Sequence, residues 1–99
     1  MNYKISLKAL DDIENIWLYT FRNWSQKQAD RYVDLIFTEI RYLAENPDTG
    51  RDFRNIRKDY RCSKVKSHLI FYRCFEHQDE IEIIRVLHQQ MDIENRLDE

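Results

Sequence analysis

Glycine and proline are almost missing from this sequence, with one of each in 99 residues. Their scarcity excludes collagen-like repeats, Gly/Ser linkers and any glycine-rich phosphate loop. The only cysteines are Cys62 and Cys74. They could be bridged in principle, but a reducing compartment argues for free thiols in strands. His68, Cys74, His77 and His88 lie near one another, but their spacings match neither C-x-x-C nor H-x-x-x-H. No metal and no cofactor is therefore expected. No apolar run approaches the roughly 18 residues of a membrane helix. The residues after Met1 lack the apolar stretch of a signal peptide, so the cytoplasm is the expected compartment. A formal net charge of −2 shows no global basic excess, and sequence-specific nucleic-acid binding is not expected. Also lacking are a Gly-x-Ser-x-Gly elbow, a His-Glu-x-x-His pair, a Walker motif and a dinucleotide fingerprint.

Hydrophobic residues make up 42% of the chain and aromatics 13%, enough to fill a core, so one folded domain over residues 1–99 is expected. Tyr3 and Ile5 alternate with polar neighbours, as in a short strand. Ser6 is placed to cap a helix starting at Leu7. Leu10, Ile13, Trp17, Phe21 and Trp24 recur every three or four residues, which predicts one helical core stripe. Ser25 and Gln28 form a capping box for a second helix, with Ala29, Val33, Ile36, Ile40 and Leu43 as its stripe. Asn46-Pro47 ends that helix. Gly50 is the expected left-handed residue of the turn after it, and Asp52 to Lys58 reads as loop or one helical turn. Three strands follow: Tyr60 to Lys66, Leu69 to Phe75 as the central one, and Ile81 to Leu87. In the last, Ile81, Ile83 and Leu87 share one face, interrupted by Arg85, with Ile84 and Val86 on the other. The tail can hold a short helix through Met91, Ile93 and Leu97. The fold class is α+β: an antiparallel β-sheet of about four strands packed with an N-terminal two-helix hairpin.

Charge is unevenly spread. From Arg51 to Lys66 seven cations face two anions, a net of +5. From Glu76 to Glu99 eight acids face two cations, a net of −6. The basic stretch can meet phosphate or an acidic protein. Arg85, a cation in an apolar strand, needs a carboxylate partner, solvent or an anion, and a structural ion pair is the expected answer. Arg57, Tyr60 and Arg61 could anchor their loop to Asp12 or Glu14. His68 and His88 end strands and could serve as acid or base, although polar strand ends need no such role.

The ordered set of pieces resembles the ParE branch of the RelE/ParE toxin superfamily. The stretches are Ala9-x-x-Asp12-Ile13-x-x-Ile16-Trp17-x-Tyr19-Thr20, then Trp24 with Gln28-Ala29-x-x-Tyr32, then Leu43-Ala44-Glu45-Asn46-Pro47-x-x-Gly50-Arg51. They continue through Ile56-Arg57-x-x-Tyr60-Arg61, Ser67 to Arg73, and Ile83-Ile84-Arg85-Val86-Leu87-His88-x-x-Met91-Asp92. The resemblance implies the toxin of a type II toxin–antitoxin module, a protein inhibitor of DNA gyrase with no catalytic residue. It also implies a ParD-like antitoxin partner whose disordered segment folds on the toxin, giving a hetero-oligomer. Arg57, Arg61, Arg85, His88, Met91 and Asp92 are the candidate residues for the gyrase target. Leu18, Leu35 and Tyr42, apolar residues left over from the helical stripes, are the candidates for the antitoxin. The alternatives are a RelE-like ribosome-dependent ribonuclease and a relative that binds antitoxin without toxicity. Against the ribonuclease, Leu69 stands where that branch carries arginine, and Asp92 to Asn95 stand where it often carries tyrosine or histidine.

Overall fold

A computed structural model describes residues 1–54 and 57–97. The elements are β1 (Asn2–Ile5), α1 (Leu7–Asn23), α2 (Gln26–Glu45), β2 (Arg51–Asp52), β3 (Tyr60–Val65), β4 (His68–Phe75), β5 (Glu80–His88) and α3 (Ile93–Leu97), with a 3₁₀ turn at Glu76–Gln78 between β4 and β5. Both helix caps fall where expected. Ser6 Oγ accepts from Ala9 N at 3.0 Å and Ser25 Oγ from Gln28 N at 3.1 Å. The α1–α2 hairpin lies on one face of a sheet ordered β1-β5-β4-β3-β2.

The α+β class and the hairpin match expectation. The sheet has five strands, because the two residues of β2 pair antiparallel with Arg61 and Cys62. Nothing in two residues carries a strand period, so this one was invisible in the pattern. The rest of the expected loop includes Asn55 and Ile56, which lie outside the described residues, as do Asp98 and Glu99 of the tail. β1 joins β5 in parallel, while β3, β4 and β5 form an antiparallel meander.

Two hydrophobic clusters sandwich the sheet. Under the helices, Ala9, Ile13, Ile16, Ile36, Ile40 and Leu43 meet Ile70, Tyr72, Ile81, Ile83 and Val86. On the opposite face Cys62, Phe71 and Leu87 are closed over by Leu97 of α3, with Phe53 edge-on to Phe71. β4 is thus covered on both faces, as its apolar run predicts. Cys62 is buried, Cys74 half-buried, and both thiols are free.

Three expectations need correction. First, the buried stripe of α1 holds no aromatic residue: Ala9, Ile13, Ile16 and Thr20 are buried, while Leu10, Phe21 and Trp24 are exposed. Both sets obey helical spacing; the small Ala9 and Thr20 let the helix approach the sheet closely, and Trp17 instead stacks on Phe21 and donates to Asp30 of α2 at 2.8 Å. Second, Gly50 does not take a positive φ; Asp59, Lys66 and Asp79 do. Gly50 is required by contact, since a Cβ there would lie 2.1 Å from Tyr72 Oη, the oxygen that accepts from Gly50 N and donates to Pro47 O. Third, Val86 joins the helix-side cluster and Leu87 the opposite one. The register explains it: Tyr72 pairs with Ile83 and Phe71 with Arg85, leaving Ile84 as an extra residue. Such a bulge reverses the alternation beyond it.

Candidate functional site

β1 accompanies β5 only to Ile83, where Ser6 N donates to Ile83 O and the chain leaves the sheet for α1. Ser6 Oγ donates to Ile84 O at 2.8 Å. Two turns into α1, Asp12 reaches the next stretch of that edge. Its Oδ2 accepts from Val86 N at 2.9 Å. The same carboxylate receives Arg85 Nε at 2.8 Å and Arg85 NH2 at 2.9 Å, a two-pronged pair with both side chains largely buried. The remaining prong of Arg85, NH1, donates to Arg96 O of α3 at 2.9 Å. Arg85 therefore fastens the first helix to the last across the edge of the sheet. It has the structural ion pair expected of it, and its partner is Asp12; Arg61 turns instead to Asp48 and Gly50.

Beyond this lock a cleft of about 600 Å³ opens between α1, the end of β5 and the tail. Asn15, Ile16 and Tyr19 form one wall, Met91 and Arg96 the other, and Val86 to His88 the floor. His68 also lines it and packs edge-on against His88, with ring centres 5.2 Å apart. His68 Nδ1 lies 2.6 Å from the Tyr32 hydroxyl, which accepts from Ser67 N. Burial pulls the His68 imidazole down to about 4, with His88 adding to the effect and Asp12 opposing it. Burial likewise raises the Tyr32 hydroxyl. His68 is therefore neutral at physiological pH and serves as a packed hydrogen-bonding ring. His88 Nδ1 accepts from Gln90 N at 3.1 Å, which shapes the turn into the tail.

The six target candidates divide between two places. Arg85, His88 and Met91 line the cleft. Asp92 sits just outside it, exposed, accepting from Asn95 Nδ2 at the start of α3. Arg57 and Arg61 lie toward the opposite edge of the sheet. Arg61 NH1 donates to Gly50 O at 2.9 Å, which binds the turn after α2 to β3. Arg57 N donates to Phe53 O within its loop. Of the antitoxin candidates, Leu35 and Tyr42 are exposed and, seven residues apart, share a stripe of α2. Between them Glu39 hydrogen-bonds Ser63 of β3, so the stripe overhangs that strand. Leu18 is half-buried on α1. Sequence reasoning missed Asp12 as the group that covers the strand edge. The lone cation in β5 was its signal, but spacing alone could not choose its carboxylate. Asn15 carries no signal of its own, and Tyr19 stands out only as an apolar residue off the helical stripe.

A family model described as "ParE toxin of type II toxin-antitoxin system, parDE" matches residues 3–93. The chain belongs to the ParE toxin family. The match embraces both sides of the lock and most of the cleft. Among similar curated proteins, "Toxin ParE1" of Caulobacter vibrioides is 38% identical over 89 residues, covering 90% of each chain. "Toxin ParE1" of Mycobacterium tuberculosis is 37% identical over 95 residues, covering 96% of each. "Toxin ParE" of Escherichia coli is 27% identical over 96 residues, 96% of this chain and 91% of that one. A solved structure titled "Chromosomal ParDE TA system from P. aeruginosa" superimposes with a TM-score of 0.76 at 21% identity, over 89% of this chain and 95% of that one, and shares the ParE fold. Among the described residues no helix is long and apolar enough to cross a membrane.

Proposed function

We propose that this ParE toxin inhibits DNA gyrase as a binding protein in the cytoplasm, without catalysing a reaction, and that a ParD-like antitoxin neutralises it in a hetero-oligomer. The observation that carries the reading is the family match across residues 3–93. The geometry agrees with binding more readily than with RNA cleavage. Leu69 packs into the cluster beneath the sheet, and the guanidinium of Arg85 is committed to Asp12 and Arg96 O. Phosphate-transfer chemistry needs cations aimed at the scissile group and a group that moves a proton. In this reading His88, Met91 and Asp92 meet the target directly, Arg57 and Arg61 add positive charge, and Arg85 positions the end of β5. Leu18, Leu35 and Tyr42 remain the proposed antitoxin anchors.

The test is a supercoiling and cleavage assay with purified gyrase, relaxed plasmid and ATP. Linear plasmid should accumulate after detergent and protease as the toxin is titrated in, and added antitoxin should suppress it. Unchanged supercoiling at saturating folded toxin would overturn the gyrase assignment, and cleavage of ribosome-bound message would then be measured.

A further inference from the structure

Three exposed aromatic rings crowd the tip of the helical hairpin. Tyr19 is 62% exposed, Phe21 45% and Trp24 65%. Large rings left in water together mark a contact surface. They are also held in place. Trp24 N donates to Thr20 O at 2.9 Å and Asn23 Nδ2 to Tyr19 O at 2.8 Å, which fixes the end of α1. Trp24 leans on Tyr19 with ring centres 6.1 Å apart. Phe21 lies flat on Trp17 at 5.1 Å, and Trp17 is pinned to Asp30. Tyr19 and Phe21, two residues apart on a helix, face opposite sides of α1. The tip therefore carries ring surface on both flanks.

The same tip holds charge of one sign. No Asp or Glu occurs from Leu18 to Ala29, while Arg22 and Lys27 do, and both are exposed. The next acid, Asp30, is the one that accepts from Trp17. Arg31, also exposed, follows Lys27 one turn along α2. The β3–β4 turn brings a fourth cation to this end of the molecule. Ser67 N donates to the Tyr32 hydroxyl at 3.3 Å, so exposed Lys66, the residue before it, lies at the second turn of α2. None of these four cations has a carboxylate partner among the described residues. At the other end of the sheet cations are answered: Lys4 by Glu80, Arg54 by Asp52, Arg61 by Asp48 and Arg73 by Glu82. Unanswered cations beside exposed rings are the two parts of a site for single-stranded nucleic acid. Cations track the phosphates, and rings take the unstacked bases. A duplex supplies the phosphates but keeps its bases stacked on each other.

We propose that the tip of the α1–α2 hairpin binds single-stranded DNA without sequence preference, stacking bases on Tyr19, Phe21 and Trp24 and holding phosphates with Arg22, Lys27, Arg31 and Lys66. The choice of DNA over RNA rests on the gyrase reading above, because that target holds DNA. The site adjoins the cleft through Tyr19, which lines it together with His88 and Met91. A toxin docked on its target by His88 and Met91 carries the tip beside that contact. There it would hold an opened strand away from its complement, which stalls a DNA enzyme without any chemistry by the toxin.

The test is fluorescence anisotropy of a labelled oligothymidine of about 15 nucleotides, titrated with the intact chain in the absence of gyrase, with circular dichroism of every variant. Affinity should fall with salt at a log–log slope of about −3, the value for four phosphate contacts on a single strand. A duplex of the same length should bind more weakly. Trp24→Ala should bind at least about fivefold more weakly, the lower end for one stacked base. Lys27→Glu should also weaken binding and flatten the salt slope. No binding by folded toxin at about 20 mM salt would overturn the proposal, as would unchanged affinity in both folded variants. A duplex bound as tightly as the strand would remove the stacking and with it the site. Oligouridine bound more tightly than oligothymidine would overturn the choice of DNA. Lys27 is exposed and outside both core clusters, so its variant decides the matter even where Trp24→Ala misfolds. Because gyrase is absent, failure here leaves the gyrase assignment to the supercoiling assay, and failure there leaves a measured affinity for the strand standing.

Discussion

Asp12 serves three donors at once: two from Arg85 and one from the backbone of Val86. Removing its charge leaves the guanidinium of Arg85 buried against a neutral group. Asp12→Ala should cost about 3–5 kcal/mol, the usual penalty for breaking a buried pair from one side. Urea unfolding measures it, and a loss below 1 kcal/mol would show that Arg85 finds another partner. Arg85→Ala should cost a similar amount, so lost toxicity in that variant reports the fold before it reports the target. His68 makes a second prediction at this scale. Its folded value of about 4 lies below its ordinary 6.5. Between those values the unfolded chain binds the proton and the folded chain does not. Stability is therefore full above pH 6.5 and falls as the pH drops toward 4. Unfolding free energies across that range should decline, and His68→Gln should flatten the slope; an equal slope in the variant would assign the titration elsewhere. Asp52, held at about 2 chiefly by the Arg54 side chain, acts below this window.

At the scale of elements, the two helices present different problems to a reader of the sequence. α2 carries one dominant stripe, and Ala29, Ile36, Ile40 and Leu43 are buried as its period requires. α1 carries two stripes that both obey the period. Hydrophobicity favours the aromatic one, but packing distance selects the one with Ala9 and Thr20. Caps, helix ends and the three long strands were legible because each depends on neighbours in sequence. The bulge at Ile84, the contact between Gly50 and Tyr72, and the Asp12 lock were not, because each depends on a partner on another element. The cleft belongs to the same class: the sequence singles out Asp12, His68, Arg85, His88 and Met91 separately, and only the fold brings them together. The exposed stripe of α2 gives a prediction that burial makes clean. Leu35→Asp and Tyr42→Asp should change stability by less than about 0.5 kcal/mol while weakening antitoxin binding. Half-buried Leu18→Asp should cost more stability. Titration calorimetry beside circular dichroism separates the effects, and unchanged affinity in both α2 variants would remove that stripe from the antitoxin interface.

For the whole molecule, the tail is part of the architecture. Leu97 is buried in the cluster beneath the sheet, and Arg96 O holds Arg85. Truncation after His88 should therefore destabilise the domain by at least about 2 kcal/mol, from the lost burial of Leu97 alone. A thermal melt unchanged by the truncation would show that the far face closes without α3. Point changes such as Met91→Ala, at an exposed position, are the better probe of target binding. The charge asymmetry also acquires a geometry. β2 and β3, which lie within the basic stretch, form one side of the sheet, while β5, with the acidic tail beyond it, lies across β4. A partner that approaches by electrostatic attraction is thus oriented before contact.

The parallel pairing of β1 with β5 joins the beginning of the chain to its end. Asn2 meets Glu80, and Asp12 waits for Arg85. During synthesis β1 emerges long before β5, the strand it pairs with. The cleft's floor and its lock are completed together, once β5 has been made. Contacts so distant in sequence also close slowly. A fold built this way carries a delay: neither the lock nor the floor of the cleft exists until β5 is in place, so the proposed working surface is among the last parts of the domain to form.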